Sequence, residues 1–176
     1  MAEPLKCEGS EPLKCEGSEP LKCEGAEPLE VQLVAYAEAA LLVAELDADL
    51  TVRYGGDGAP VHAPAEEFDG PGGQMLVATL AGEQVGSVGL RGVSSDVAEL
   101  KRMYVRPQYR GRGIARALLA ACERTARGLG YAQLWLETGT LQPEAVALYL
   151  SAGYEPVDPF GQYAGESLSV HLGRTL

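Results

Sequence analysis

Hydrophobic and polar residues follow two different periods along this chain. Short apolar or alternating runs predict strands over residues 30–34, 75–81, 84–90, 98–105, 132–137, 154–157 and 167–172. Apolar positions spaced three and four apart predict helices over residues 36–50 and 112–128, and a third helix that opens at residue 142. The order of these elements favours an α/β fold in which helices cover a mixed sheet.

Turn residues separate the predicted elements. Gly82 and Glu83 join two of the strands as an antiparallel hairpin, and Pro143 and Gly153 bracket the last helix at the positions that these residues favour. Residues 54–73 are rich in glycine, proline and acids. This stretch predicts a long irregular connection and is a candidate substrate loop.

Composition limits the class of protein. The 176 residues are 46% hydrophobic, which is enough for one globular domain, and they carry a net charge of -11. The longest apolar run of the first half, residues 39–44, is far shorter than a membrane span needs. No basic segment precedes an apolar core at the start of the chain, so we expect no secretory signal and a cytoplasmic location.

The first 28 residues form a separate segment, in which the octapeptide EPLKCEG[SA] occurs three times in succession. A proline in each copy blocks a long helix. Cys7, Cys15 and Cys23 recur eight residues apart, whereas zinc sites use closely paired ligands. We therefore interpret residues 1–28 as a flexible repetitive extension without a metal, and residues 29–176 as the domain. An engineered repeat whose purpose resides in the cysteines is the other hypothesis.

A glycine-rich turn between a strand and a helix is the strongest functional signal. Gly111 and Gly113 can adopt positive φ, and the first N–H groups of the following helix have no partners within it. This arrangement favours a pyrophosphate ligand. The phosphate loop of nucleotide hydrolases needs lysine and then serine or threonine, which this turn lacks. The dinucleotide fingerprint needs a third glycine, where this chain has Arg116.

Positive charge concentrates around this turn although the whole chain is acidic. Residues 101–116 contain no acid and six basic residues, which are Lys101, Arg102, Arg106, Arg110, Arg112 and Arg116. Together with the glycine spacing, this charge favours a phosphate ligand over a merely solvated basic face. The acidic total argues against nucleic acid as a partner.

Two motifs carry a resemblance to a known family. The pattern Gln108-x-x-Gly111-x-Gly113 is similar to the acyl-CoA motif of the GNAT family of N-acetyltransferases. Residues 134–154 contain a stretch that resembles the A-x-x-L-Y-x-x-x-G-F/Y element of the same family. The likeness covers residues 29–172, which is the whole chain except the repeat and the last few residues.

The resemblance implies a single GNAT-like domain, with a mixed, mostly antiparallel sheet and helices on both faces. It implies an enzyme that moves an acetyl group from acetyl-CoA directly to a primary amine of a small molecule or peptide, without a metal, nucleic acid or membrane. A homodimer stays open. The alternative function is a catalytically silent acyl-CoA-binding module.

The resemblance also implies which residues hold acetyl-CoA and which act in the transfer. The residues expected to contact acetyl-CoA are Met103, Tyr104, Val105, Gln108, Arg110, Gly111, Arg112, Gly113, Ile114 and Ala115. Tyr149 matches the tyrosine that protonates the departing thiolate, and a purely structural position in the core is its alternative. Glu99 and Glu137 are the candidate bases because both lie in apolar strands. Pairing with Arg102 or Arg106 is their structural alternative.

The acceptor amine is expected to contact loops on the open side of such a site. Arg53, Tyr54 and Tyr163 are the candidate contacts. The family often has asparagine shortly before its last helix, where this chain has Leu141-Gln142-Pro143. A contact to the pantetheine arm through that asparagine is therefore not expected here.

Overall fold

The computed structural model of this protein describes residues 28–55 and 64–176. The strands are β1 (Leu29–Val34), β2 (Gln74–Leu80), β3 (Glu83–Gly92), β4 (Val97–Val105), β5 (Gln133–Gly139), β6 (Glu155–Pro156) and β7 (Ser169–Thr175). The α-helices are α1 (Ala40–Tyr54), α2 (Glu66–Asp69), α3 (Ile114–Gly128) and α4 (Pro143–Ser151). The predictions for the repeat, its three cysteines and residues 56–63 lie outside the described residues.

The strands form one sheet in the order β1-β2-β3-β4-β5-β7-β6. Neighbouring strands are antiparallel except β4 and β5, which run parallel. The predicted hairpin is formed by β2 and β3, but its turn is Ala81 and Gly82, one residue earlier than predicted, and both residues have positive φ. The prediction of a mixed, mostly antiparallel sheet is confirmed.

Helices cover both faces of the sheet because the central strands bury both of their side-chain rows. Met75 and Val77 of β2 pack in one cluster with Leu42 and Leu46 of α1. Leu76, which lies between them in the strand, points to the other face and packs in the main core beneath α3. The expected helices on both faces are therefore present.

α3 has the amphipathic pattern that its sequence predicts. Ile114, Leu118, Cys122 and Ala126 recur at four-residue spacing, and all are buried. Burial raises the pKa of the Cys122 thiol far above its ordinary value, with a further contribution from the neighbouring Glu123. Cys122 is therefore a core thiol and not a nucleophile.

Two segments before β2 differ from the prediction. The helix predicted over residues 36–50 begins as a 3₁₀ turn, Tyr36–Ala39, and continues as α1 to Tyr54. Within the predicted irregular connection, α2 forms one helical turn around Phe68, which is 1% exposed and stacks on Tyr36 with 5.4 Å between ring centroids. A single turn is too short to produce a periodic signal in the sequence.

Candidate active site

The sheet opens between its two parallel strands. β4 and β5 are paired from Val97–Gln133 to Leu100–Leu136, and the recorded pairing ends there although β4 continues to Val105. The strands therefore diverge in the second half of β4. This divergence leaves a gap in the middle of the sheet, and main-chain groups of β4 border this gap.

A β-bulge lies where β4 leaves β5. The register between β3 and β4 shifts between Ser87 and Gly89, and Arg102 opposite this shift has a φ of 56°. A positive φ at a residue other than glycine is uncommon and marks the extra residue of the bulge. The Ser87 hydroxyl donates to the Arg102 carbonyl at 3.2 Å. The bulge is therefore held in place from the adjacent strand.

The alternation of β4 after the bulge decides which main-chain groups face the gap. The Arg106 N–H donates to the Val85 carbonyl of β3 at 3.0 Å, and the Arg102 carbonyl also points to β3. In a strand the N–H and C=O of one residue point to the same side, and this side alternates from one residue to the next. The main-chain groups of Met103 and Val105 therefore point away from β3. Met103 and Val105, which are both among the residues expected to contact acetyl-CoA, thus face the gap with their main chains.

The glycine-rich turn continues directly from the end of β4. A 3₁₀ turn, Pro107–Tyr109, leads into Gly111 and Gly113, whose φ values are 78° and 81°. Gly113 caps α3 and has no side chain that could accept from the first N–H groups of the helix. These N–H groups therefore point out of the helix at the end of the gap, an arrangement that suits an anion.

Carboxylates from outside the basic segment form ion pairs with four of its six cations, and three of these pairs are close. Arg102 pairs with Asp47 at 2.9 Å, Arg106 pairs with Glu45 at 2.8 Å, and Lys101 pairs with Glu99 at 3.0 Å. The partners on α1 are distant in sequence, so the charge pattern of residues 101–116 overstates the local field. The cations nearest the turn are Arg110, Arg112 and Arg116.

These last three arginines have weaker partners. Arg110 lies 3.4 Å from Asp49 and donates to the Val105 carbonyl at 2.9 Å, while Arg116 donates to the Ser151 hydroxyl at 2.8 Å. Arg112 stacks over the Tyr109 ring at 5.3 Å. Within the described part of the chain, neither Arg112 nor Arg116 has a carboxylate partner. The positive charge that remains available for an anion is therefore concentrated at the turn.

One cavity of about 880 Å³ contains the gap, the glycine turn and the amino-terminal part of α4. Of the residues expected to contact acetyl-CoA, those that line it are Met103, Tyr104, Val105, Arg110, Gly111, Gly113, Ile114 and Ala115. Gln108 and Arg112 are exposed at the turn and do not line the cavity. Gln108, the glutamine of the acyl-CoA motif, therefore lies outside the cavity that the glycine-rich turn borders.

Tyr149 of α4 lines the same cavity and is 3% exposed. Its ring packs edge-on against Tyr154 with 5.8 Å between centroids. Burial raises the pKa of the Tyr149 phenol well above its ordinary value, and the adjacent Cys122 adds to the shift. Tyr149 therefore belongs to the core and also borders the cavity, and its role as a proton donor stays a prediction.

The two candidate bases have different environments. Glu137, near the end of β5, lines the cavity and accepts a hydrogen bond from the Ser169 hydroxyl at 2.8 Å. Glu99 does not line the cavity; it is 3% exposed and pairs with Arg91 at 2.7 Å and with Lys101 at 3.0 Å. Arg91 lies directly opposite Glu99 on β3, which places Glu99 in an ion-pair network beside the cavity, and its role as a base stays a prediction.

The three residues expected at the acceptor end all line the cavity. Arg53 donates to Asp49 and Glu144 in ion pairs of 3.2 and 2.7 Å. The Tyr54 hydroxyl accepts a hydrogen bond from the Gln142 side chain at 3.2 Å. Lys101 lies over the Tyr163 ring at 5.3 Å.

Sequence reasoning missed several residues that complete this end of the cavity. They are Asp49, Lys101, Gln142, Glu144, Glu166 and Ser169. Their positions depend on contacts between elements that are far apart in the chain, such as α1 with the loop before α4. The departure from the family at Leu141-Gln142-Pro143 was the one signal that pointed here.

Two general findings concern the described residues alone. No group of three or more histidine, cysteine or acidic side chains there is arranged to hold a metal ion. No described helix combines the length and apolar character that crossing a bilayer requires.

Comparison with known proteins gives a consistent result. A family model described as acetyltransferase (GNAT) family matches residues 41–154. The chain is 35% identical over 140 residues to an IAA acetyltransferase of Azospirillum brasilense, and the match covers 77% of this chain and 88% of that protein.

Solved structures give the same result at the level of the fold. An acyl-CoA N-acyltransferase from Klebsiella pneumoniae superimposes with a TM-score of 0.70 at 31% identity, over 84% of this chain and 97% of that chain. A GNAT family acetyltransferase from Elizabethkingia anophelis, solved with acetyl-CoA bound, superimposes with a TM-score of 0.58 at 18% identity, over 84% and 98% of the two chains. The second likeness concerns the fold alone.

Proposed function

This chain belongs to the GNAT family of acetyltransferases and is an acyl-CoA-dependent N-acyltransferase, and we propose that it moves an acetyl group from acetyl-CoA directly to a primary amine of a small molecule or peptide. The observation that carries the proposal is the continuity of one cavity. The gap beside β4, the glycine turn, Glu137 and Tyr149 all border the same 880 Å³ space.

The donor is proposed to lie along β4 with its pyrophosphate at the glycine turn. The N–H groups from Gly111 to Ala115 bind the phosphate oxygens, and the Arg110 side chain supplies positive charge. The Arg110 N–H itself donates to the Pro107 carbonyl at 3.2 Å. Met103 and Val105 pair with the amides of the extended pantetheine arm through the main-chain groups that face the gap. The acetyl-CoA bound in the similarly folded Elizabethkingia protein supports this choice of donor.

Glu137 is proposed as the general base. An alkyl ammonium has a pKa of about 10, so its proton must be removed before nitrogen can attack the thioester carbonyl. The Glu137 carboxylate lines the cavity, and the Ser169 hydroxyl fixes one of its oxygens. The lining carboxylates of Glu144 and Glu166 are compatible with a cationic acceptor.

Tyr149 is proposed as the general acid. Attack of the amine on the thioester carbonyl gives a tetrahedral intermediate, whose collapse breaks the carbon–sulfur bond and releases coenzyme A as a thiolate. The Tyr149 phenol, whose pKa burial raises, holds its proton at neutral pH and gives it to the sulfur as the carbon–sulfur bond breaks. The proton that the nitrogen of the intermediate still carries then returns to the phenolate. A main-chain N–H of β4 beside the gap stabilises the carbonyl oxygen as negative charge develops.

The test is a screen of primary amines with acetyl-CoA, in which the acetylated product is measured by mass spectrometry. This readout avoids thiol reagents, which would also react with cysteines of the chain such as Cys7, Cys15 and Cys23. We expect acetylation of a subset of amines, and we expect Tyr149→Phe to bind acetyl-CoA with unchanged affinity while transfer slows. Calorimetric binding of acetyl-CoA without transfer to any amine would instead identify a silent acyl-CoA-binding module.

A further inference from the structure

Lys101 is a cation of the cavity wall that has no part in the proposed transfer. It lies in β4 directly before the bulge at Arg102, and it lines the cavity with 15% of its side-chain surface exposed. In a binding cavity, a few charged groups usually fix the orientation of the ligand and select it. Lys101 is therefore a candidate for recognition of the acceptor.

The strand register places Lys101 beside the candidate base. Leu100 and Leu136 are the last recorded partners of β4 and β5, and both pack in the main core beneath α3. Lys101 and Glu137 follow them in the two strands, so both side chains leave the sheet on the opposite face. Both residues line the cavity. Where the two strands separate, one strand thus carries a cation and the other an anion.

These two charges do not neutralise each other. Among the described residues, no ion pair joins Lys101 to Glu137, and each is held by partners of its own. The Lys101 ammonium lies 3.0 Å from Glu99 and 5.3 Å from the centroid of the Tyr163 ring, while Glu137 accepts from the Ser169 hydroxyl at 2.8 Å. A ligand in the cavity therefore meets both a positive and a negative group.

Glu99 offsets the charge of Lys101 only in part. Its Oε2 pairs with Arg91 at 2.7 Å and its Oε1 with Lys101 at 3.0 Å, so two cations share one buried carboxylate. Within the described part of the chain, Glu99 is the only carboxylate paired with Lys101. An ammonium group has three N–H donors, and the contact with Glu99 uses one of them. Lys101 can therefore bind a further anion.

We propose that the acceptor is a free amino acid, whose ammonium group binds Glu137 and whose carboxylate binds Lys101. The inference rests on the proposed function, in which Glu137 takes a proton from the amine. The nitrogen attacks the thioester carbon and the carbon–sulfur bond breaks, which yields an N-acetyl amino acid, the coenzyme A thiol and one released proton. An amine without a carboxylate displaces water from Lys101 and offers no anion in exchange, so it is disfavoured.

A diamine is the competing class of acceptor, because the carboxylates of Glu144 and Glu166 also line the cavity. Both residues are exposed, so water screens their charges, and Glu144 already pairs with Arg53 at 2.7 Å. Lys101 is far less exposed and would repel a second cation that lies close to it. The charges beside Glu137 thus favour an amino acid over a diamine.

The experiment measures kcat/KM of the full chain for three amino acids and the amino alcohols that match them. Alanine, leucine and phenylalanine are compared with alaninol, leucinol and phenylalaninol, in which a hydroxymethyl group replaces the carboxylate and the amine keeps a similar basicity. In the pair that reacts fastest, we expect the amino acid to be preferred about tenfold or more. Putrescine tests the diamine.

Lys101→Met keeps an unbranched side chain and removes the charge. We expect the ratio of the two kcat/KM values to fall about tenfold or more, and Lys101→Arg should keep part of the preference. Arg124→Met is the matched control, because Arg124 is an exposed cation of α3 that does not line the cavity. It should leave the ratio unchanged. Circular dichroism shows whether each variant is folded.

The contrary results separate this inference from the proposed function. A wild-type chain that acetylates the amino alcohols or putrescine at least as well as the amino acids would overturn recognition of a carboxylate and leave acetyl transfer intact. A folded Lys101→Met variant that keeps the full ratio would have the same meaning. If that variant does not fold, the wild-type comparison alone decides. A wild-type chain that acetylates no amine of any kind overturns the proposed function and this inference together.

Discussion

The Tyr54 hydroxyl occupies the position that a Cβ on Gly139 would take. The end of α1 is thereby packed directly against the end of β5, and the Gln142 side chain donates to the same hydroxyl at 3.2 Å. Arg53 strengthens this contact through its hydrogen bond to the Leu141 carbonyl at 3.2 Å. One wall of the cavity therefore depends on the absence of a side chain at Gly139.

Gly139→Ala should displace Tyr54 and widen the acceptor end of the cavity. The overpacking should lower the free energy of unfolding by about 1–3 kcal/mol and raise the KM of the amine more than that of acetyl-CoA. The double variant with Tyr54→Ala is the control, because without the Tyr54 ring the added methyl has nothing to displace. Equilibrium urea unfolding of the four chains in this cycle measures the coupling. Additive losses would mean that the two residues do not interact.

Gly113→Ala should weaken acetyl-CoA binding. Gly113 has a φ of 81°, a conformation that costs a residue with a Cβ about 1–2 kcal/mol. The turn should relax to relieve this strain, and the N–H groups at the start of α3 should then point in a different direction. We expect at least a tenfold higher Kd by calorimetry. Gly128→Ala is the matched control, since it lies in the same helix without positive φ and with open space at its Cβ position. Equal Kd values of the two variants for acetyl-CoA would show that the turn is not part of the donor site.

Glu99→Gln and Glu137→Gln should separate stability from catalysis. Glu99 is buried between Arg91 and Lys101, so loss of its charge should lower the free energy of unfolding by about 3 kcal/mol and leave kcat within a few-fold of wild type. Glu137 lines the cavity, and its replacement should lower kcat by about 10²-fold with a much smaller change in stability. Thermal unfolding and steady-state rates on the same preparations provide the comparison. The reverse pattern would make Glu99 the base.

The protein should lose stability at high pH through three neutral groups of its core. Burial raises the pKa values of Cys122, Tyr149 and Tyr154, whose ordinary values are 9.0, 10.0 and 10.0. The stabilisation by these neutral forms is complete below pH 9 and is lost as the pH rises, because the unfolded chain releases the protons first. Each group contributes a slope of about 1.4 kcal/mol per pH unit above its ordinary pKa.

Urea unfolding between pH 8 and pH 11 measures this slope. Tyr149→Phe should reduce the slope by about 1.4 kcal/mol per pH unit above pH 10, and Cys122→Ala should reduce it by the same amount from pH 9 upward. Within the same range the wild-type kcat should show no descending limb from Tyr149, since the folded phenol stays protonated. A kcat that falls near pH 10 in wild type but not in Tyr149→Phe would contradict the raised pKa.

Local patterns in the sequence were sufficient for most of the elements and for the glycine-rich turn. The glycine pair at 111 and 113 needs positive φ whatever the rest of the fold does, and the four-residue spacing of α3 reports its buried face directly. The sheet is mixed and mostly antiparallel, as the resemblance implied. These features depend on neighbours within a few residues or on a motif with a fixed structure.

Features that depend on long-range register could not be predicted. Glu99 and Glu137 look alike in sequence, and only strand pairing places Arg91 opposite the first and Ser169 near the second. The bulge at Arg102 and the α1 carboxylates that neutralise the basic segment have the same origin. Gln108 belongs to the motif but lies outside the cavity, and the motif spacing alone does not indicate this position.

The interrupted pairing of β4 and β5 affects folding as well as chemistry. Past Leu100 the sheet has interior amides with no neighbouring strand on that side, so in the free protein water must solvate them. A donor that lies along β4 acts as a missing strand and completes the sheet. The donor substrate is then also a structural part of the protein. At a concentration one hundred times its Kd, it should raise the free energy of unfolding by about 2.7 kcal/mol.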